Sequence, residues 1–430
     1  MAAGQGARPR PEERSSVGAA SVNLTKNLIG AGIFSLPMAL LQGSLLPGLG
    51  VMLLACIVQG GSFVLIAYLC QQLHCTSYRD VFATAFGKRA GTAVDVCICT
   101  NAFFACVSYN ILVADFQVKA LEGLFGIIDF HRAKLIWMNT LLITMPLSHV
   151  RNLSALRYTS ILGLAIIAFV ISYVVSDFYS SRAVKKHNLH LHMYRVDIGL
   201  FSTLALCTGA FQAHYNSPKF FRELGCDLAA HRRVVVMSFA AALCIYSSFA
   251  ISGLGLFGSE LCGNVLKNYP AEGNRFVLLS WLGMAFAIVF TYPLVFTTGR
   301  DSFIGLMPAI QKAAQKRPLR THMLCTSIPV ALIAAVACLV QDVSVVTGTL
   351  GATVGASLCW IFPASTYLRV TSAAAAELHE CKAPLIPSGT RTSRGPVVRG
   401  SPGQRACARA MVVIGLLSMA VGLSKTFGLL

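Results

Sequence analysis

The stretch Ser21–Leu41, SVNLTKNLIGAGIFSLPMALL, is long and apolar enough to cross a bilayer, yet Gly30, Gly32 and Pro37 sit inside it. A second stretch, Leu200–Pro218, reads LFSTLALCTGAFQAHYNSP, with Thr208-Gly209-Ala210 at its middle and Pro218 at its end. Glycine costs a helix about 1 kcal/mol relative to alanine, and proline about 3. Backbone groups freed in hydrocarbon cost more, unless protein or a hydrated cavity satisfies them. Close helix packing through small residues accounts for the first stretch alone. Two breaks, five spans apart, predict a carrier built from inverted repeats with its site at mid-membrane.

The rest of the chain fits that frame. Of 430 residues, 55% are hydrophobic and 12% charged, and the mean hydropathy is +0.66. Soluble domains carry about 25% charged residues, so secreted scaffolds, nucleic-acid binders and disordered chains are excluded. Apolar runs of roughly 20 residues, the length that crosses a bilayer, occur at 22–41, 47–71, 93–117, 134–149, 155–177, 198–216, 232–258, 276–299, 321–340, 343–368 and 408–428. They are continuous and not alternating, which excludes a β-barrel. The expected fold is an all-α polytopic membrane protein of 11 transmembrane helices. Spans 1–5 (about 22–177) and 6–10 (about 198–368) form two halves, within a core of 21–370.

The net charge of +18 resolves into orientation. With the N-terminus in the cytoplasm, 25 of the 35 Lys and Arg residues face the cytoplasm and 10 the opposite side, as the positive-inside rule requires. No nucleic-acid partner is implied. Residues 1–20 read as a disordered cytoplasmic arm with no cleaved signal peptide. The Ser/Pro/Gly/Arg-rich stretch 371–407 reads as a flexible basic cytoplasmic loop leading to the last helix, 408–430. His187, His190 and His192 lie in the loop after span 5 and read as exposed polar residues. The 15 cysteines are scattered through apolar runs, as buried free thiols are. No metal site, cofactor or nucleophile–base pair emerges, so no enzyme activity is expected. Asp95 and Asp115 are expected to face water at the ends of span 3.

The breaks also suggest a ligand. Exposed N–H groups at a half-helix N-terminus favour a carboxylate, and the partner's exposed carbonyls favour an ammonium. An α-amino acid offers both.

Three motifs resemble the amino acid/auxin permease family, within it the neutral and vacuolar amino-acid transporters. Asn23-Leu24-Thr25 with Gly30-Ala31-Gly32-Ile33 and Leu36-Pro37 is similar to its first-span motif. Phe211-Gln212-Ala213-His214 with Glu223-Leu224, and Thr291-Tyr292-Pro293-Leu294-Val295 with Arg300, are similar to its sixth- and eighth-span motifs. The resemblance implies a leucine-transporter-like 5+5 inverted repeat plus one extra C-terminal helix, moving neutral amino acids by alternating access. It places substrate on Gly30, Ala31 and Gly32 and on Thr208, Gly209 and Phe211. Coupling or gating candidates are Asn23, Lys26, Asn27, His214 and Thr291. Sodium-coupled relatives carry Asn where this chain has Lys26, so H+ coupling or facilitated transport competes with Na+ coupling. A non-transporting amino-acid sensor is the alternative from another class. Plasma, vacuolar and lysosomal membranes all remain open.

Overall fold

The computed structural model describes residues 15–126, 130–150, 156–180, 193–270, 274–372 and 400–426. No strand occurs among them. The first interrupted stretch folds as α1 (Val17–Leu28), a 3-10 turn Ala31–Ser35, and α2 (Leu36–Gly43). Then come α3 (Leu45–Leu73), the short surface helix α4 (Tyr78–Phe86) and the 38-residue α5 (Lys88–Phe125). The helix pair α6 (Arg132–Asn139) and α7 (Met145–His149) is joined by a π-helical turn, and α8 (Leu156–Ser180) follows.

The second half opens with α9 (Gly199–Ala210), a 3-10 turn His214–Asn216 and α10 (Ser217–Glu223). It continues through α11 (Leu228–Phe257), α12 (Arg275–Leu306), the surface helix α13 (Pro308–Lys316) and α14 (Pro318–Leu339). α15 (Val343–Leu350) runs through two π-helical turns, Gly351–Gly355 and Ser357–Ile361, into α16 (Phe362–Thr371). α17 (Pro402–Thr426) packs along α16.

Among the described residues, eight helices are long and apolar enough to cross a membrane. α1 and the Gly32–Gly43 segment, bent by 53°, make a ninth if counted as one broken span. The remaining expected spans, 134–149 and 198–216, are helical, the first running without interruption through its π turn and the second broken at Phe211. The ends differ from expectation in two places. α1 starts at Val17 because Ser16 Oγ accepts the Ala19 N–H, so helix reaches into the expected arm. α17 starts at Pro402, six residues before the expected 408. The rest of the arm, most of the 371–407 loop and the His187, His190 and His192 cluster lie outside the described residues.

Packing explains where glycine is needed. α5 packs broadly on α12, α1 on α11, and α9 on both α2 and the Gly351–Gly355 turn. A Cβ on Gly351 would lie 1.9 Å from the Ala205 carbonyl oxygen of α9, so the two backbones touch there. Side chains that point inward are large and fully buried, among them Trp281, Trp360, Tyr246, Tyr292 and Phe34. Replacing Gly351 with Ala is expected to lower the thermal stability of the purified protein, by about 1–3 kcal/mol as overpacking does. Gly50→Ala, where the space is open, should not destabilise. Equal melting temperatures for the two variants would contradict this packing.

Candidate transport site

Each interruption leaves helix-end carbonyls without the next turn to bond them. In α1 the helix ends at Leu28, and Ile29 (ψ 90°) and Gly30 (φ −122°, ψ −164°) run extended. In α9 it ends at Ala210, and the chain turns through Phe211 and Ala213 before restarting with Pro218 in the first turn of α10. One side chain serves both ends. Tyr246 Oη of α11 lies 2.5 Å from the Leu28 carbonyl oxygen and 3.0 Å from that of Ala210. Its ring meets Phe211 edge-on at 5.0 Å.

The breaks also touch directly. A Cβ on Gly32 would sit 3.6 Å from Ala210 Cα, whereas one on Gly30 would meet nothing closer than 3.9 Å. Gly30 therefore borders open space, and Gly32 is the contact. Gly209 faces the Thr347 carbonyl oxygen at 3.3 Å and Gly351 Cα at 3.7 Å, measured from its would-be Cβ. Phe211 is fully buried and stacks on Phe239 at 5.9 Å. Phe34, in the turn after Gly32, meets Phe116 of α5 and Phe249 of α11 edge-on.

On the second break, the buried atoms Thr208 Oγ1 and Gln212 Nε2 have no hydrogen-bond partner among the described residues; the same holds for Asn110 Nδ2 on α5 and Tyr292 Oη on α12. Thr208 and Gln212 flank Gly355, at 3.0 and 3.5 Å from its would-be Cβ. An unsatisfied buried donor costs about 1–3 kcal/mol, so such groups call for a polar ligand or water.

The coupling candidates scatter. His214 is buried and fully engaged. Its Nε2 lies 3.1 Å from the Gln59 carbonyl and 2.7 Å from Ser62 Oγ, and Cys359 Sγ lies 3.0 Å from Nδ1. Because a carbonyl only accepts, Nε2 carries the proton and Nδ1 accepts from the thiol. Thr291 is half-buried and donates to the Ala287 carbonyl one turn back, at 2.8 Å. Asn27 is exposed and accepts from Asn216 Nδ2 at 3.3 Å, joining α1 to the second break. Asn23 is exposed. Lys26 has no ion pair among the described residues. It lines a groove of about 560 Å³ between α1, α8 and α11, with Thr25, Leu164, Ile167 and Met237.

Both sides of the junction are covered. On one side the turn Val265–Asn268 packs on Ala31–Ser35, with Val265 and Leu266 buried. That loop is tied down by Lys267 Nζ, 3.6 Å from Asp115 Oδ2, while Arg132 Nε holds Oδ1 at 2.9 Å. Tyr269 donates to Asp177 Oδ2 at 3.0 Å. Burial, and then that carboxylate, raise its phenol above the ordinary value, so it stays a neutral donor. On the other side, the Ser15 N–H donates to the Glu223 carbonyl at 3.0 Å, and Ser238 Oγ to that of Ser21 at 2.9 Å.

Asp115 is thus a buried ion-pair centre, not a water-facing end group, and Asp95 is paired with Arg79. Their cationic partners are 16 residues or more away in sequence, so spacing within span 3 could not reveal them. Tyr246 was equally hidden: it is one aromatic in an apolar run, and its partners lie 218 and 36 residues away.

Tyr246→Phe keeps the ring packing but strands both carbonyls, and is expected to cost about 1–3 kcal/mol. Tyr292→Phe removes a hydroxyl with no hydrogen-bond partner among the described residues and should leave stability unchanged or higher. Melting temperatures of the two purified variants check this; a harmless Tyr246→Phe would contradict the bridging role.

Comparisons with known proteins agree with this architecture. Residues 13–385 match the family model described as transmembrane amino acid transporter protein. Vacuolar amino acid transporter 2 of Saccharomyces cerevisiae is 24% identical over 377 residues, covering 84% of this chain and 78% of the relative. Sodium-coupled neutral amino acid transporter 7 of Bos taurus is 24% identical over 351 residues, covering 78% and 74%. The fold resembles a Na+-coupled sialic acid symporter solved in its substrate-bound outward-open state, with a TM-score of 0.59 at 13% identity and 98% and 91% coverage. It also resembles the Eremococcus coleocola manganese transporter, with a TM-score of 0.55 at 12% identity and 96% and 88% coverage. The two breaks and the family match lead to one conclusion: the chain is a multi-pass membrane protein that belongs to the transmembrane amino acid transporter family.

Proposed function

We propose that this chain moves neutral amino acids across its membrane by alternating access, with substrate held where the two broken helices meet. The observation that carries the reading is the shared junction itself. Two helix ends, open backbone at Gly30 and the unpaired polar groups of Thr208 and Gln212 meet there, with packed segments on both sides. The substrate carboxylate goes to the N–H groups of Gly30, Ala31 and Gly32, and the ammonium to carbonyls near Thr208 and Gly209. Phe211 acts from behind, holding the second break against α11.

The proposed architecture is a leucine-transporter-like 5+5 inverted repeat over spans 1–10, with α17 as the extra helix and 11 spans in all. The N-terminus is cytoplasmic on the positive-inside argument. Asp115 with Lys267 and Arg132 then closes the non-cytoplasmic side. Ser15 with Glu223 closes the cytoplasmic side.

For coupling, Lys26 favours sodium-independent transport, driven by protons or by the substrate gradient. An ammonium one turn before the break repels a cation along α1, and Thr291 spends its hydroxyl on its own helix. The sodium-coupled reading draws support from the names of relatives such as the Bos taurus protein.

Uptake into proteoliposomes tests these readings. Saturable flux of a neutral amino acid, indifferent to sodium and enhanced by an inward proton gradient, is the expected result. A sodium requirement would overturn the coupling assignment, and binding without flux would point to a sensor. Lys26→Asn is expected to alter flux or its ion dependence several-fold; no change in either would show that the ammonium merely reaches the lipid headgroups.

A further inference from the structure

Away from the junction, an apolar cavity of about 680 Å³ lies between α5, α12 and α14, walled by Phe104, Phe303, Ile328 and Leu332. A second hollow of about 450 Å³ shares Ala313, Thr321 and Leu324 with it and is rimmed by Lys316, Arg317 and Arg320. Together they form one groove, apolar along its length and cationic at its mouth. Along α14, Leu324, Ile328 and Leu332 repeat every fourth residue and are 53%, 62% and 53% exposed, so an apolar rail leads inward from the basic end. The overlying α13 has no buried residue. Among the described residues, no ion pair reaches Lys312, Lys316, Arg317 or Arg320. Asp301, the one acidic residue between Arg275 and Arg320, is already paired with Arg300 at 3.3 Å.

We propose that this groove is a binding site for an anionic phospholipid, with an acyl chain along α14 and the headgroup phosphate on Lys316, Arg317 and Arg320. An acyl chain gains by covering the exposed apolar rail. Three unpaired cations at one end select a net negative headgroup over a zwitterionic one. Under the orientation proposed above, this mouth faces the cytoplasmic leaflet, where anionic lipids concentrate. The lipid bridges α5, α12 and α14, and its binding does not depend on the substrate assignment.

The test uses the full chain, purified and delipidated in detergent. Dioleoylphosphatidylserine or dioleoylphosphatidylcholine is titrated in mixed micelles, with the melting temperature and the lipid retained in native mass spectrometry as readouts. The serine lipid is expected to stabilise the protein and to be retained in preference. K316Q/R317Q/R320Q should lose that preference by about tenfold or more, while the control K88Q/R89Q keeps it. Ile328→Trp, which obstructs the groove while leaving the cations, should weaken retention of the serine lipid, and inorganic phosphate alone should give no shift. Equal response to the two lipids in the wild type, an unchanged preference in the triple variant, or full retention in Ile328→Trp would each overturn the site. So would stabilisation by inorganic phosphate alone, because a free anion would then suffice.

Discussion

One phenolic hydroxyl holds the interior together. Tyr246 Oη stands between the carbonyl oxygens of Leu28 and Ala210, the last helical residues before the two interruptions. A broken helix in an apolar interior must find partners for its freed backbone groups. Here both breaks use one donor on a third helix. The single proton cannot serve two carbonyls fully at once, so the breaks are coupled: what tightens one loosens the other. The ring of the same residue meets Phe211 and so fixes the position of the second break.

On either side of that bridge, the packed segments are held by different chemistry. On the Val265–Asn268 side it is electrostatic, with one buried carboxylate, Asp115, shared between Arg132 of α6 and Lys267 of the loop. On the Ser15 side it is backbone and hydroxyl hydrogen bonds between short segments. Ions drawn from water into a partly buried pair pay a desolvation cost that geometry must offset. The two sets of contacts therefore respond to different perturbations.

Much of this was legible in the amino-acid order. Gly30, Gly32 and Pro37, and Thr208-Gly209-Ala210 with Pro218, mark both breaks because helix packing accounts for the first set alone and not for the pair of them. The same reading placed Thr291 and His214 in their spans but could not say what they bond. Thr291 proves to bond its own preceding turn, and His214 is held by Gln59, Ser62 and Cys359 from two other helices. The partners that set the role of His214 are tertiary and lie 145 to 155 residues away. The same limit hid Tyr246 and the partners of Asp115. The π turns of the tenth apolar run left no clear signal either, since Gly351 and Gly355 read equally well as packing glycines. Lys26 was conspicuous as a charge in an apolar run, and the groove it lines between α1, α8 and α11 emerges only from the packing.

The junction of the two breaks is the proposed seat of the substrate. A structure of the full-length protein determined with a bound neutral amino acid tests it most directly. The ligand carboxylate is expected on the backbone N–H groups of Gly30–Gly32 and its ammonium beside the Thr208–Gly209 carbonyls, with Tyr246 still holding at least one helix end. Ligand seated elsewhere, with Leu28 and Ala210 still bridged and the space beside Gly30 empty, would contradict it.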